Sequence, residues 1–326
     1  MMCDPIRPRL WSPLLSLDDP SVAFTDIGGD VDDAAALALL AITDPQLKLV
    51  VTVDEYPDRR RAKLARHLLD SLGRHDVRVV AGLSLGESGY WAADGLHPGV
   101  DVPRADVYDA MAELCGPGTA PVRCLSLGPV TDIARSLITD ARQDTPLGLK
   151  HRLHIVAMGG ALNYRNPERA EHNWRMNPAA VRLMLAEAEH VALVLSDHTF
   201  VDDIAVSASS PIYQLLDSLP GEWAQLLRGH YDQFFAGFHD ASKLHDAVAA
   251  SLMLGKSFVR GEYREFHLAR DARMCPGAGT RAWLSTGVDY PAFMSWVERV
   301  FRAGPDRPLA EQVGVQCAVD RVGRLS

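Results

Sequence analysis

Four carboxylates crowd into eight residues of the stretch TDIGGDVDDAAALALLAI, at Asp26, Asp30, Asp32 and Asp33. They follow a β-branched run and precede an apolar helical pattern, which is where open α/β sheets place their ligands. Gly28 and Gly29 let the backbone turn tightly, so that Asp26 and Asp33 can converge. Carboxylates this close repel each other unless a positive charge sits among them. A hard divalent cation with oxygen ligands meets that need, and calcium or magnesium fits better than zinc. Three rival motifs fail. An EF-hand needs glycine at loop position six and a late glutamate, where an apolar helix intrudes. A P-loop needs lysine after its glycines, where Asp30 stands. A helical DDxxD box is broken by the three alanines after Asp33. Helix capping alone explains one or two of these aspartates, not four.

The elements around this loop alternate. Strands are predicted at residues 22–25, 47–53, 77–81, 121–127, 153–158 and 191–195. Helices are predicted at about 33–42, at 59–72, from about 129, and at 178–189, the last with Asn177 as N-cap and Pro178 at its first position. Such alternation predicts an α/β fold, a mostly parallel, Rossmann-like open sheet flanked by helices. After residue 200 the pattern turns helical. Residues 259–286, rich in glycine and charge, are expected to hold long loops. Residues 1–20 read as an irregular lead-in to a single domain spanning 1–326.

The segment Asp26-Ile27-Gly28-Gly29-Asp30-Val31-Asp32-Asp33-Ala34 resembles the N-terminal acidic signature of the inosine-uridine-preferring nucleoside hydrolase family, in its DTDxGGDxDDA variant. Phe24 replaces the first aspartate. With a two-residue insertion, Asp26 matches the family's general base, Asp32 its ribose-binding aspartate and Asp33 a metal ligand. An ungapped match would put Gly28 at the base position, and the gapped one keeps a carboxylate there. Three further motifs follow in order. Leu127-Gly128-Pro129-Val130-Thr131-Asp132-Ile133-Ala134 resembles xxGPLTNIA, whose residue before Gly-Pro, here Leu127, gives a backbone carbonyl to the metal. Met158-Gly159-Gly160, Asn166, Glu171-His172-Asn173 and Asn177-Pro178 resemble MGG, a loop asparagine, EFN and a DPEAA helix start. The resemblance makes Asn166, Glu171 and Asn173 sugar hydroxyl binders, a task suited to amides and carboxylates. His245-Asp246-Ala247-Val248-Ala249 resembles HDPxAVA, with Asp246 a second carboxylate ligand and His245 beside the leaving base. Alone, that pair reads as a surface or capping pair. The resemblance spans roughly residues 20–302. One departure is clear: the family's Gly-Asn pair after the second strand is replaced within Val53-Asp54-Glu55-Tyr56-Pro57, where Glu55 or Tyr56 takes the asparagine's place.

The resemblance implies calcium-dependent hydrolysis of an N-ribosidic bond. Cleavage passes through an oxocarbenium-like state that nearby negative charge stabilises. Asp26 would take a proton from water, being both base and metal ligand, and His245 would protonate the leaving base. Trp174, Tyr231 and Phe235 are candidate aromatics of the base pocket. Two other readings stand beside this one: a hydrolase of a modified nucleoside or another pentoside, and a silent binder of nucleosides or pentoses.

Composition limits the partners. With 326 residues, 47% of them apolar, the chain can bury a large core. Its formal charge of −9 disfavours nucleic acid and anionic lipid. The longest apolar run near the start is far short of the roughly 20 residues of a membrane span, and no signal peptide is expected. Five scattered cysteines without CxxC spacing suggest reduced thiols and a cytoplasmic location. The expected partner is a small-molecule nucleoside, and the resemblance implies a homodimer or homotetramer.

Overall fold

The structure is a computed structural model that describes residues 11–12, 15–86, 89–97 and 99–305. Six strands form the parallel part of its main sheet: β1 (Ser21–Thr25), β2 (Leu47–Thr52), β3 (Arg78–Ala81), β4 (Val122–Ser126), β5 (Leu153–Met158) and β6 (His190–Val194). Their spatial order is β3-β2-β1-β4-β5-β6, so the winding reverses between β1 and β4. Phe24 of β1 pairs with Val51 of β2 on one side and Ser126 of β4 on the other. A crevice opens at such a reversal, beyond the carboxyl ends of the strands. These strands are buried throughout β1, β4 and β5, which is why they read as apolar runs rather than alternations. Phe24, at the departed signature position, lies fully buried in the core.

Helices cover both faces. In chain order they are α1 (Asp32–Thr43), α2 (Arg60–Ser71), α3 (Val107–Cys115), α4 (Thr131–Ala141), α5 (Leu149–Arg152), α6 (His172–Met176), α7 (Pro178–Glu187), α8 (Ser196–Thr199), α9 (Pro211–Ser218), α10 (Glu222–Gly237), α11 (His245–Met253) and α12 (Tyr290–Ala303). The α1 sequence DDAAALALLAIT is apolar on every face beyond its first turn, and all but its last residue are buried. A helix apolar all round belongs in an interior. It packs against α2, α10, α11 and α12. Asn177 caps α7, accepting the Ala180 N–H at 3.1 Å, with Pro178 at the first position.

Five more strands follow. The short β7 (Ala205–Ser207) and β8 (Ala241–Lys243) pair antiparallel apart from the main sheet. The remaining three correct the expectation of loops at 259–286: β9 (Val259–Leu268), β10 (Met274–Pro276) and β11 (Thr280–Val288) extend the sheet beyond β6. β11 runs parallel to β6 and antiparallel to β9. Most of β9 is at least partly exposed, so ladder hydrogen bonds hold a strand whose side chains carry little apolar signal. The described part of the lead-in, residues 11–12 and 15–20, holds turns and bends but no helix or strand, and its other residues lie outside the described ones. Among the described residues, no helix is long and apolar enough to cross a membrane.

Candidate active site

Asp26 leaves the end of β1, and Asp32 and Asp33 open α1. Asp246 is the second residue of α11, which packs on α1. Carboxylate oxygens of Asp32, Asp33 and Asp246 lie within 4.8 Å of one another, all three side chains buried. Residues more than 200 positions apart thus meet at the positive end of a buried helix. Their acidity records the crowding. Burial first, then the charges of Asp30, Asp33 and Asp26, pushes the Asp32 pKa well up. Burial and the same neighbours, including Asp32, do this to Asp246. Asp33 is raised by burial and Asp26, against the Thr25 hydroxyl that donates to it. The donors are all oxygen, buried and mutually repelling, which fits a hard divalent cation.

The Asp26 carboxylate abuts the turn after β4. A Cβ on Gly128 would lie 2.8 Å from its Cγ, so only glycine fits there. The neighbouring Leu127 carbonyl accepts the Asn173 side-chain N–H at 2.7 Å, and Asn173 donates also to the Met158 carbonyl at 3.2 Å. Leu127 and Asn173 are therefore brought together. Glu171 is buried, and its carboxylate receives the backbone N–H groups of Gly160, Asn173 and Trp174, capping α6. Burial lifts its pKa to about 7. Asn166 lies exposed on the loop between β5 and α6, where its side chain accepts the Glu168 N–H at 3.2 Å.

His245 shares a 2.9 Å hydrogen bond with the Thr199 hydroxyl through Nδ1 and stacks on Phe200, ring centroids 5.8 Å apart. Burial, then the charges of Lys243 and Arg165, lowers its pKa to about 3. It is neutral here, so it can offer an N–H from Nε2 rather than the charge of an imidazolium. Asp30 is outside the carboxylate trio. Its Oδ1 accepts the Val31 N–H and the Ser242 hydroxyl, joining the acidic loop to β8 just before Asp246.

Several neighbours carry no sequence signal that marks them. Arg61, 1% exposed, reaches from α2 under the loop and donates to the carbonyls of Asp26, Ile27 and Asp54. Its charge opposes the burial that raises Asp26. His172 lies within the charge field of Asp26 and Asp54, and burial lowers its pKa. Over the loop stand Trp91 and Tyr90. A Cβ on Gly28 would meet Trp91 Cε3 at 2.8 Å, and one on Gly29 would meet Tyr90 Cδ1 at 2.6 Å. Gly28 also has φ of +108°, and its carbonyl accepts the Ala92 N–H at 2.8 Å. Where the signature departs, Glu55 is consumed by structure: it accepts the Thr52 hydroxyl and the N–H groups of Tyr56, Arg61 and Ala62 at the start of α2. Tyr56 packs edge-on against Trp91 at 5.7 Å. Of the expected base-pocket aromatics, Tyr231 lies within the charge field of Asp30 and Asp32. Trp174 and Tyr231 are fully buried, and Phe235 packs on Tyr213 and Tyr231.

The family profile described as inosine-uridine preferring nucleoside hydrolase matches residues 22–298. The chain belongs to that family. A protein of Schizosaccharomyces pombe is 23% identical over 319 residues, covering 90% of this chain and 96% of its own. An inosine-uridine preferring nucleoside hydrolase from Bacillus anthracis superposes with a TM-score of 0.67 at 19% identity, over 87% of this chain and 99% of that one. A plant nucleoside hydrolase gives 0.70 at 16% identity with the same coverage. At these identities the solved structures establish the shared fold, and the profile match establishes the family.

Proposed function

We propose that this site hydrolyses the N-glycosidic bond of a ribonucleoside, giving ribose and the free base, with calcium as the cation. The observation that carries the reading is the meeting of Asp32 and Asp33 with Asp246, within the charge field of Asp26. Asp26, Asp33, Asp246 and the Leu127 carbonyl would hold the ion, which supplies Lewis acidity toward water and sugar hydroxyls. Asp26 accepts the proton of the attacking water. Its burial raises its proton affinity, and Arg61 moderates the rise. Asp32 and Asn173 orient the ribose diol, and the buried negative charge favours the cationic sugar of the transition state. The neutral His245 would offer a hydrogen bond from Nε2–H to the departing base without giving up that proton. Glu171 supports the sugar side through the turn it caps, and Asn166 stands as a further sugar contact on its exposed loop.

The test is release of reducing sugar from a panel of purine and pyrimidine nucleosides, with calcium, with chelator, and with magnesium or zinc restored. Calcium-dependent release supports the proposal. A metal-replete protein that binds nucleosides yet frees no sugar would instead be a silent binder.

A further inference from the structure

The rim beside His245 is basic, although the chain as a whole is acidic. The Arg165 guanidinium stacks over the Phe200 ring, 4.0 Å from its centroid, and Lys243 Nζ lies 5.0 Å from the same ring. Phe200 is itself stacked on His245 and is 45% exposed, so the platform is open to a ligand. The two cations differ in availability. Lys243 is paired with Asp202 at 2.8 Å. Arg165 is exposed, and among the described residues it has ring contacts but no ion-pair partner.

Its position is built rather than incidental. Asp197, in α8, accepts the N–H groups of Leu162 and Asn163 at 2.9 and 2.8 Å, pinning the start of the loop that carries Arg165. The same short helix leads directly into Phe200, so loop and platform share one anchor. Arg165 also lies within charge reach of both His172 and His245, the two histidines that border the site. A guanidinium stacked by its face keeps its N–H edge free for a planar or tetrahedral anion.

We propose that Arg165, held on Phe200 at this rim, selects nucleoside derivatives that bear an anionic group, a carboxylate or a phosphate. This rests on the nucleoside hydrolase reading, and it deepens that reading by naming the substrate class. The acidic floor takes the cation and the sugar, while the basic rim takes the negative group. That group could belong to either end of the substrate, to the leaving base or to the 5′ carbon of the sugar.

Three compounds separate these sources: uridine, orotidine, which adds a carboxylate to the base, and uridine 5′-monophosphate, which adds a phosphate to the sugar. Each is titrated calorimetrically with the calcium-loaded protein, and sugar release is followed separately. At least one charged compound is expected to bind about tenfold tighter than uridine, the scale of one charge-assisted hydrogen bond. The preferred compound identifies which end reaches Arg165. In R165Q the ratio to uridine is expected to collapse toward one, and added salt should shrink it in the wild type. F200L, which removes the platform but keeps the charge, should reduce the ratio part-way. Uridine binding as tightly as both charged compounds would overturn the proposal, as would an R165Q variant that keeps the preference or a protein that binds none of the three. Sugar release is a separate readout: its absence with all three compounds counts against hydrolysis, while the binding ratio still decides the role of Arg165.

Discussion

The carboxylate of Asp26 rests against the α-carbon of Gly128, with no room between them for a methyl group. The end of β1 is thus locked against the turn after β4, across the point where the sheet changes its winding. Gly128→Ala must push the carboxylate aside or tilt the turn that presents the Leu127 carbonyl. A displacement of about 1 Å is enough to cost about 100-fold in turnover. A kcat close to wild type in a folded Gly128→Ala protein would show that the contact is dispensable.

Asp26→Asn keeps the shape of the side chain and removes its basicity. Turnover is expected to fall by about 10²–10⁴-fold, the usual range for a positioned base. Thermal melting in chelator separates this effect from unfolding: Asp26 is buried with a raised pKa, so the variant should melt no lower than wild type.

Asp246→Asn should separate binding from folding. The folded pKa of Asp246 lies above its unfolded value of 3.8 because of burial and neighbouring carboxylates. Its favourable contribution is therefore complete below pH 3.8 and is lost as pH rises through the folded pKa. At pH 7 without metal the raised pKa of this carboxyl is a net cost to the fold. Asp246→Asn is expected to melt higher than wild type in chelator at pH 7, with the gain shrinking toward pH 4. Calcium should raise the wild-type melting temperature and leave the variant's unchanged. A variant still stabilised by calcium would remove Asp246 from the ligand set.

Arg61→Met should do the reverse. It deletes the buried cation under the loop, breaks its 4.0 Å ion pair with Asp54 and takes a donor from three carbonyls, a loss on the order of 3–5 kcal/mol. Denaturant unfolding is expected to show a larger loss in chelator than in calcium, since a bound cation restores part of the missing positive charge. Equal losses in both would mean that Arg61 serves packing alone.

A second pH effect lies at the opposite end of the sheet. His154 is buried, stacked on His190 at 4.0 Å and bonded to Ser12 at 2.9 Å. Burial, with His190, lowers its pKa to about 4 from 6.5. The unfolded chain takes a proton below pH 6.5 that the folded chain refuses until about pH 4, so stability falls across that window. The loss approaches about 3 kcal/mol at its acid end. His154→Gln should flatten the pH dependence of unfolding between those limits.

Much of the parallel sheet was legible because its strands are buried on both faces and announce themselves as apolar runs. The acidic loop was legible because carboxylates are costly to crowd. Asp246 could be placed with Asp33 only by resemblance, since nothing local reveals which distant helix packs on α1. The sequence does not announce β9, because backbone pairing holds it where most side chains are exposed, and β11 shows only the short buried run 282–285 amid glycine and charge. Helix α3 was also missed, although Asp106 caps it by accepting the N–H groups of Tyr108 and Asp109. Glu55 and Tyr56 were indistinguishable as replacements for the missing asparagine, because only the fold shows that Glu55 is spent on α2. The reach of Arg61 was hidden for a similar reason: on a helical wheel it is one more basic residue, and its 1% exposure comes entirely from tertiary packing.

The ring of Trp91 touches the acidic loop at Gly28, and the neighbouring Tyr56 leans on the same indole. Any shift of that backbone when charge enters the cluster must alter the surroundings of a fluorophore. One of the six tryptophans thus sits where it can report occupancy of the cluster, as the part of the intrinsic emission that Trp91→Phe removes.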